Sequence, residues 1–147
     1  MALKMADSKP RILIVDDEEN IVKALARHYK FLGYNVSCAT NAEEALSLLA
    51  SERTEVVISD IKMPGMDGLD LLKEIRSQYP MTRVIMITGY VTLDNLLSAF
   101  RRGADTCIFK PLNDLTELEV AVSRAVDQLK DWQCKLKQLK SLKGEDN

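Results

Sequence analysis

Charged and hydroxyl side chains stand at the ends of four short apolar runs, and they are the residues that could carry chemistry. Asp16 and Asp17 follow the first run, Asp60 the third, Thr88 the fourth and Lys110 the fifth. In an open α/β sheet, ligands bind outside the carboxyl ends of the strands. If the runs are strands of such a sheet, we expect these five side chains to converge on one edge.

The residue types at this edge suit phosphoryl transfer. Three converging carboxylates repel one another unless a cation neutralises them. Mg²⁺ prefers oxygen ligands and suits a site built from Asp16, Asp17 and Asp60 with room for water. Lys110 offers a compact ammonium group for a phosphate oxygen, and Thr88 offers a hydroxyl donor. A carboxylate nucleophile, a metal ion, an ammonium group and a hydroxyl group are the parts needed to transfer a phosphoryl group onto an aspartate.

The elements that position these residues are predicted from apolar runs that alternate with amphipathic segments. Runs too short for a helix and too apolar for a solvent-facing strand are typical of central parallel strands, namely Ile12–Val15, Val56–Ile58 and Val84–Ile87. Weaker strand candidates are Asn35–Ala39 and Thr106–Phe109. The helical patterns cover about Glu19–Leu32, Ala42–Ser51, Gly68–Gln78, Leu93–Arg102 and a long segment from Leu115. Strict alternation predicts a doubly wound α/β fold with right-handed crossovers.

Several helix boundaries carry local signals. Asn41 and Asp114 each precede a glutamate by three residues, which is the capping-box arrangement at the start of a helix. Gly33 and Gly103 stand where the first and fourth helices should end, and glycine is the preferred residue there.

Composition and charge exclude several classes of protein. A length of 147 residues predicts one domain, or one domain with a short appendage, and the composition of 46% hydrophobic and 29% charged residues is that of a globular protein. A net charge of −2 gives no overall positive field for nucleic acid. Three cysteines without C-x-x-C spacing argue against a disulfide scaffold or zinc site and indicate a reducing compartment, so we expect a cytoplasmic protein. No apolar run reaches the length of about 20 residues that a membrane span needs, and we expect no membrane partner.

Four segments of the sequence resemble the signatures of the receiver domain of two-component response regulators: Ile12–Glu18, Ser59–Gly68, Ile87–Tyr90 and Phe109–Pro111. They occur in order over about residues 11–128. The resemblance implies a bacterial signalling protein with a flavodoxin-like, five-stranded parallel sheet of order 2-1-3-4-5 and helices on both faces. It divides the chain into an N-terminal tail (1–10), a receiver domain (11–128) and a helical extension or linker (129–147).

The resemblance also implies roles for individual residues. Asp60 would be the phosphoacceptor, and Asp17 would bind Mg²⁺ directly. Asp16 would act partly through water, and the backbone carbonyl of Lys62 would be a further ligand. The donor would be phosphohistidine on a histidine kinase or phosphotransfer protein. Such a chain is a signalling phosphoacceptor with slow autodephosphorylation rather than an enzyme.

The remaining implied roles concern the phosphorylated state. Lys110 and Thr88 would hold the phosphoryl group, and the Lys110–Pro111 peptide would be cis. Movement of Thr88 toward the new oxygens would bias the surface of the fourth helix, fifth strand and fifth helix.

The sequence departs from the family pattern at Cys107. Many receivers carry an aromatic switch residue three positions before the lysine, and a small thiol cannot repeat the rotation of a ring. We expect activation to be retained and its surface readout to be altered. Lys62 and Tyr90 stand two residues beyond Asp60 and Thr88. The resemblance implies that side chains at these positions flank the path of the attacking water, and we expect a long lysine and a bulky ring there to slow hydrolysis of the acyl phosphate.

Two other functions are compatible with parts of the sequence. The chain could be a degenerate receiver that serves as a dimerisation or docking module, but the complete set of acidic residues and lysine argues against this. It could also be an aspartyl phosphatase of the haloacid dehalogenase type. That group needs a second aspartate two residues after the nucleophile, where this chain has Lys62.

The C-terminal segment extends beyond the length of a receiver. Apolar residues recur there with the alternating spacings of a coiled coil, at Leu115, Leu118, Val122, Ala125, Leu129, Trp132, Leu136 and Leu139. The first half of this stripe would cover the sheet, and the second half has no sheet left to cover. Residues 129–147 carry a net charge of +2, against −4 for residues 1–128. The segment could form a homodimer, dock an anionic partner or lead to an output domain that binds DNA, although this chain itself is not expected to bind nucleic acid. We favour a dimerising or signalling helix over a frayed tail.

Overall fold

The computed structural model describes residues 10–89 and 92–143. Within these two ranges, five strands alternate with five helices. The strands are β1 (Arg11–Val15), β2 (Asn35–Ala39), β3 (Val56–Asp60), β4 (Arg83–Thr88) and β5 (Thr106–Phe109). The helices are α1 (Glu19–Phe31), α2 (Ala42–Ser51), α3 (Gly68–Gln78), α4 (Leu93–Arg101) and α5 (Thr116–Lys143). The order and type of the predicted elements are confirmed.

The strands form one parallel sheet in the order β2-β1-β3-β4-β5, so the predicted fold class is confirmed. β1, β3 and β4 are the central strands, and their apolar residues are buried on both faces of the sheet. This burial explains why these strands are continuous apolar runs rather than alternating patterns. The parallel register brings all five carboxyl ends to one edge of the sheet.

Two apolar cores cover the two faces of the sheet. α1 and α5 pack on one face, where Ile14, Ile58 and Ile85 meet Leu25 and Leu118. On the other face, residues of α2, α3 and α4 pack against the strand residues that point the opposite way. The alternation of side chains along a strand fixes which residues enter which core.

The helix boundaries follow local chemistry with one correction. Asn41 accepts a hydrogen bond from the Glu44 N–H at 2.8 Å, as the capping signal predicts. Gly33 and Gly103 end their helices with φ of +95° and +92°, a conformation that glycine adopts at little cost. The capping box expected at Asp114 is not formed, because α5 begins at Thr116 and the Asp114 carboxylate accepts bonds from the N–H and hydroxyl of that residue instead.

The apolar stripe of α5 changes its environment along the helix. Leu118, Val122, Ala125 and Leu129 are buried against the sheet. Farther along, the exposed fractions are 56% for Trp132, 49% for Leu136, 46% for Leu139 and 85% for Leu142. The second half of the stripe is therefore open to solvent. Among the residues that the structure describes, no helix is both long enough and apolar enough to cross a membrane.

Candidate functional site

The predicted site residues lie at the carboxyl ends of the strands. Asp16 follows β1, Asp60 is the last residue of β3 and Thr88 is the last residue of β4. Lys110 follows β5, and its backbone N–H donates to the Thr88 carbonyl at 2.8 Å. The sheet thus brings together residues that are up to 94 positions apart in the chain. Asp16, Asp60 and Thr88 are each at most 5% exposed.

Lys110 is the cationic centre of the cluster. Its Nζ lies 3.0 Å from Oδ2 of Asp16, 3.1 Å from Oδ2 of Asp60 and 2.9 Å from Oε1 of Glu18. The side chains of Asp16 and Asp60 are almost fully buried, whereas that of Glu18 is 61% exposed. Because screening by water weakens an exposed pair, the two buried carboxylates are the main partners of the ammonium group. The Lys110–Pro111 peptide is cis.

The electrostatics of the cluster oppose full ionisation of its carboxylates. Burial raises the pKa of Asp16, and the charge of Asp60 adds to this effect, while the Glu18 N–H and Lys110 act against it. Burial also raises the pKa of Asp60, although Lys110 and the N–H groups after β3 favour the charged form. Burial alone would lower the pKa of Lys110, but its bonds to the three carboxylates outweigh burial and raise it. One ammonium group therefore compensates only part of the negative charge.

The residues present fit a divalent cation. One carboxylate oxygen from each of Asp16, Asp17 and Asp60 can be chosen so that all lie within 4.8 Å of one another. Oδ1 of Asp60 is buried and makes no hydrogen bond of good geometry to the described residues, although the N–H groups after β3 lie near this carboxylate, so it can bind a ligand. Asp17 is exposed, so solvent reaches the cluster on the side of this residue. Carboxylate oxygens on a partly solvated edge are the donor set that Mg²⁺ prefers.

The loop after β3 is held close to the site by its backbone. Lys62 lies in this loop with its side chain exposed. The Gly68 N–H donates to the Ile61 carbonyl at 2.7 Å, which closes the loop at the start of α3. Asp67 caps α3 by accepting a bond from the Asp70 N–H at 2.9 Å. A Cβ atom on Gly68 would overlap the Asp60 carbonyl, so only glycine fits there without a shift.

The predicted switch residues occupy neighbouring strands. Cys107 pairs with Met86 in the register of β4 and β5, while Thr88 pairs with Phe109. Cys107 is half-buried and packs against the core on the α2–α3–α4 face of the sheet, and burial raises the pKa of its thiol. The aromatic ring of Phe109 is 46% exposed at the sheet edge. Tyr90 lies outside the described residues, so the predicted role of its ring in hydrolysis stays a prediction.

Two residues of the site had no separate role in the sequence prediction. Glu18 belongs to the acidic run after β1, and its contact with Lys110 arises only when β1 and β5 are placed in one sheet. Gly68 ends the segment that carries Asp60, but its close approach to that residue depends on the path of the loop. The sequence feature that could have identified Glu18 as a site residue is its position within the acidic run after β1.

Comparison with known proteins decides the family. The model of the family described as response regulator receiver domain matches residues 12–123. The chain belongs to this family. The receiver domain is 43% identical over 116 residues to the regulatory protein AtoC of Escherichia coli, covering 79% of this chain and 25% of that protein. It is 38% identical over 122 residues to the DNA-binding transcriptional regulator NtrC of Salmonella typhimurium, covering 83% and 26%.

The receiver domain is also similar to solved structures. The response regulator TrrA of Thermotoga maritima, solved in complex with Mg²⁺–BeF, is 37% identical with a TM-score of 0.71, covering 79% of this chain and 98% of that chain. The chain spans about a quarter of the length of the curated relatives it matches. It is therefore similar to one portion of those proteins.

Proposed function

We propose that Asp60 is the phosphoacceptor of this receiver domain and takes its phosphoryl group from a phosphohistidine. A carboxylate oxygen of Asp60 attacks phosphorus, the P–N bond to the imidazole breaks, and the new P–O bond makes an acyl phosphate. The observation that carries the proposal is the buried Oδ1 of Asp60, which makes no hydrogen bond of good geometry to the described residues, beside the ammonium group of Lys110. A nucleophile must keep a lone pair free, and a cation must meet the charge of the transferred group.

Each neighbouring residue has a task that follows from its position. Asp16, Asp17 and Asp60 would hold Mg²⁺, with the Lys62 carbonyl as a further ligand. When bound, the ion supplies positive charge to the oxygens of the phosphoryl group. Lys110 exchanges its bond to Asp60 for a bond to a phosphoryl oxygen, and it remains anchored by Asp16. Thr88 donates its hydroxyl group to another phosphoryl oxygen.

Phosphorylation of Asp60 would be transmitted to the surface of the domain through β4 and β5. Phosphorylation adds close to two negative charges at Asp60, and these attract the Thr88 hydroxyl. Thr88 and Phe109 are paired across β4 and β5, and Lys110 is bonded to the Thr88 carbonyl. The displacement therefore reaches the α4–β5–α5 surface, where Cys107 takes the position of an aromatic switch. We propose that the surface responds with a smaller rearrangement than a ring would cause.

The decisive experiment is direct phosphorylation of the purified chain. Incubation with acetyl phosphate and Mg²⁺ should add the mass of one phosphoryl group, and peptide mapping should locate it at Asp60. Asp60→Asn should abolish the gain, and chelation of Mg²⁺ should abolish it in the unaltered chain. Absence of any gain in the folded protein would favour the alternative function, a docking or dimerisation module without phosphoryl transfer.

The partner proteins are also proposals. The donor would be a histidine kinase or phosphotransfer protein, and the output would come from a domain outside this chain. The relative NtrC is a DNA-binding transcriptional regulator, which supports an output domain that binds DNA. Cys38, Cys107 and Cys134 are free thiols, in keeping with a reducing compartment such as the cytoplasm.

The exposed half of α5 supports a second proposal, a homodimer formed by this helix. Trp132, Leu136 and Leu139 continue the spacing of the buried stripe but lie in solvent. A lone helix with an apolar face is marginal in water, and pairing with a second copy would bury that face. Sedimentation at high concentration should show a dimer that Trp132→Glu disrupts, while Gln138→Glu, in the same segment but outside the apolar stripe, should not. A monomer with and without phosphorylation would contradict the proposal.

A further inference from the structure

A groove lies between α1 and the outer strand β2, away from the Asp60 cluster. Its volume is about 780 Å³, and residues of α1 and of the end of β2 line it. We call it the α1–β2 groove and define it by Val22, Lys23, Ala26, Arg27, Lys30, Phe31, Cys38 and Thr40, with Glu19 at one end. None of these residues has a task in the phosphoryl chemistry proposed above.

One wall of the groove is the outer edge of the sheet. Among residues 10–89 and 92–143, β2 pairs with no strand other than β1. The Asn35 N–H donates to the Pro10 carbonyl, and the Ala39 carbonyl accepts from the Asp16 N–H, so these alternate residues face β1. In a parallel strand the residues between them direct their backbone groups to the opposite side. Val36 and Cys38 therefore present N–H and carbonyl groups to the outer edge, where an extended segment could bind them.

The floor of the groove is apolar and includes an exposed aromatic residue. Val22 and Ala26 line it from α1, and Cys38 lines it from β2. Phe31, the last residue of α1, is 87% exposed, and Leu32 beside it is 39% exposed. An exposed ring beside apolar side chains and the outer edge of a strand is a typical place for a partner to bind.

The rim of the groove is positively charged. Lys23, Arg27 and Lys30 line it from α1, and Glu19 is the one acidic residue among its lining residues. Lys30 lies near enough to Cys38 for its charge to oppose the rise that burial causes in the pKa of the thiol. Lys30 therefore stands beside the strand edge. The positive rim contrasts with the net charge of −4 over residues 1–128.

We infer that the α1–β2 groove binds an extended segment of a partner protein that carries both apolar and acidic side chains on the face turned toward α1, that is, at every second position. The backbone of the segment would pair with Val36 and Cys38, its apolar side chains would contact Phe31 and the floor, and its acidic side chains would meet the rim. A second copy of this chain is a poorer occupant, because two copies related by a twofold axis would bring their cations together. A nucleic acid is also a poorer fit, since the floor offers it an apolar surface.

The test uses the whole chain and a fluorescent synthetic peptide in which valine and glutamate occupy every second position in turn, with threonine between them, so that both can face α1. The same peptide with lysine in place of glutamate, and a version with proline at its centre, are the comparison probes. The acidic peptide should bind in anisotropy titrations and shift the amide resonances of Val36 and Cys38. The lysine peptide should not bind, and the proline peptide should bind more weakly because it lacks a backbone donor.

Charge-reversal variants test where the peptide binds. Arg27→Glu with Lys30→Glu should weaken binding by about tenfold or more, the loss expected when a charge-assisted contact is removed. Lys135→Glu with Lys137→Glu, the same charge change on exposed α5, should leave the affinity unchanged. Phe31→Ser should weaken binding without altering phosphorylation by acetyl phosphate, because Phe31 lies outside the site.

Several outcomes would overturn the inference. It fails if the acidic peptide binds no better than the lysine peptide, or if both pairs of charge reversals have the same effect. It fails if Phe31→Ser instead abolishes self-association of the chain, since the groove would then be an interface between copies. It also fails if a single-stranded DNA oligomer binds as tightly as the peptide and is insensitive to Phe31→Ser, since the rim would then be only a basic surface.

Discussion

The α-carbon of Gly68 lies against the backbone of Asp60, so that a methyl group on Gly68 would overlap the Asp60 carbonyl oxygen. The same methyl group would stand 2.9 Å from the Cα of Ile61. Both contacts are with backbone atoms, which cannot rotate away as a flexible side chain can. The first residue of α3 therefore fixes the path of the loop that carries the proposed phosphoacceptor.

Replacement of this glycine should disturb stability and the site together. Gly68→Ala should lower the free energy of unfolding by about 1–3 kcal/mol, the usual cost of forcing a group into a packed region. It should also slow phosphorylation of Asp60, because relief of the overlap moves its backbone. Gly89→Ala is the matched control, since its Cβ would meet Lys110 at an ordinary distance of 3.9 Å. Urea unfolding of both variants measures the effect, and equal stability of the two would contradict the prediction.

The lysine of the cluster should stabilise the metal-free protein. Lys110→Met would leave the buried carboxylates of Asp16 and Asp60 without their cation, and unpairing a buried charge costs about 3 kcal/mol. We expect the free energy of unfolding in a chelator to fall by about that amount, with part of it restored by Mg²⁺. Lys73→Met, on the exposed side of α3, is the control and should have little effect. A loss that Mg²⁺ does not reduce would argue against an ion at this cluster.

The raised pKa of Asp60 predicts how the free energy of unfolding depends on pH, and the sign of this dependence can be tested. Above the ordinary value of 3.8 and below the raised pKa, the native state holds a proton that the unfolded state has lost. The contribution of Asp60 to the free energy of unfolding therefore falls as pH rises through this interval and is level above it. In metal-free solution, the stability of the wild type relative to Asp60→Asn should fall with rising pH. A relative stability that rises through the same interval would contradict the assignment.

The position of Cys107 predicts an altered surface response. Cys107→Tyr introduces a ring where the thiol now packs half-buried against the core. We expect acetyl phosphate still to phosphorylate Asp60. The amide shifts that accompany phosphorylation at Leu96 and Phe100 on α4 should become larger, or a protein that binds the α4–β5–α5 surface should do so with a different affinity. Cys134→Tyr, on the exposed part of α5, is the control. An unchanged phosphorylated structure together with unchanged partner affinity would show that Cys107 has no part in the readout.

The sequence predicted the central strands best because their environment leaves few choices. Ile12–Val15 and Val84–Ile87 are buried on both faces, so every position had to be apolar. A local signal such as Asn41 with Glu44 was also sufficient, although the Glu44 carboxylate accepts its bond from the Thr40 N–H rather than closing on Asn41. The capping signal therefore predicted where α2 begins, but it did not predict every hydrogen bond at that helix end.

The features of the site and the surface that the sequence did not predict depend on contacts between distant segments. The bond between Glu18 and Lys110 exists only after β1 and β5 share a sheet, and the need for Gly68 depends on the path of a loop. The α1–β2 groove also depends on such contacts, because Phe31 and Cys38 line one groove only after α1 packs beside the outer strand β2. Sequence periodicity describes single elements and carries no such information.

α5 is one unbroken helix whose first turns press on the sheet and whose last turns project beyond it. The part that follows Leu129 is about 20 Å long, given the rise of an α-helix. If phosphorylation tilted the packed turns by about 10°, the far end of α5 would travel about 4 Å. A small tilt of the packed turns would therefore reach the far end of α5 as a larger displacement, and the information would leave the phosphorylation site as movement rather than as charge.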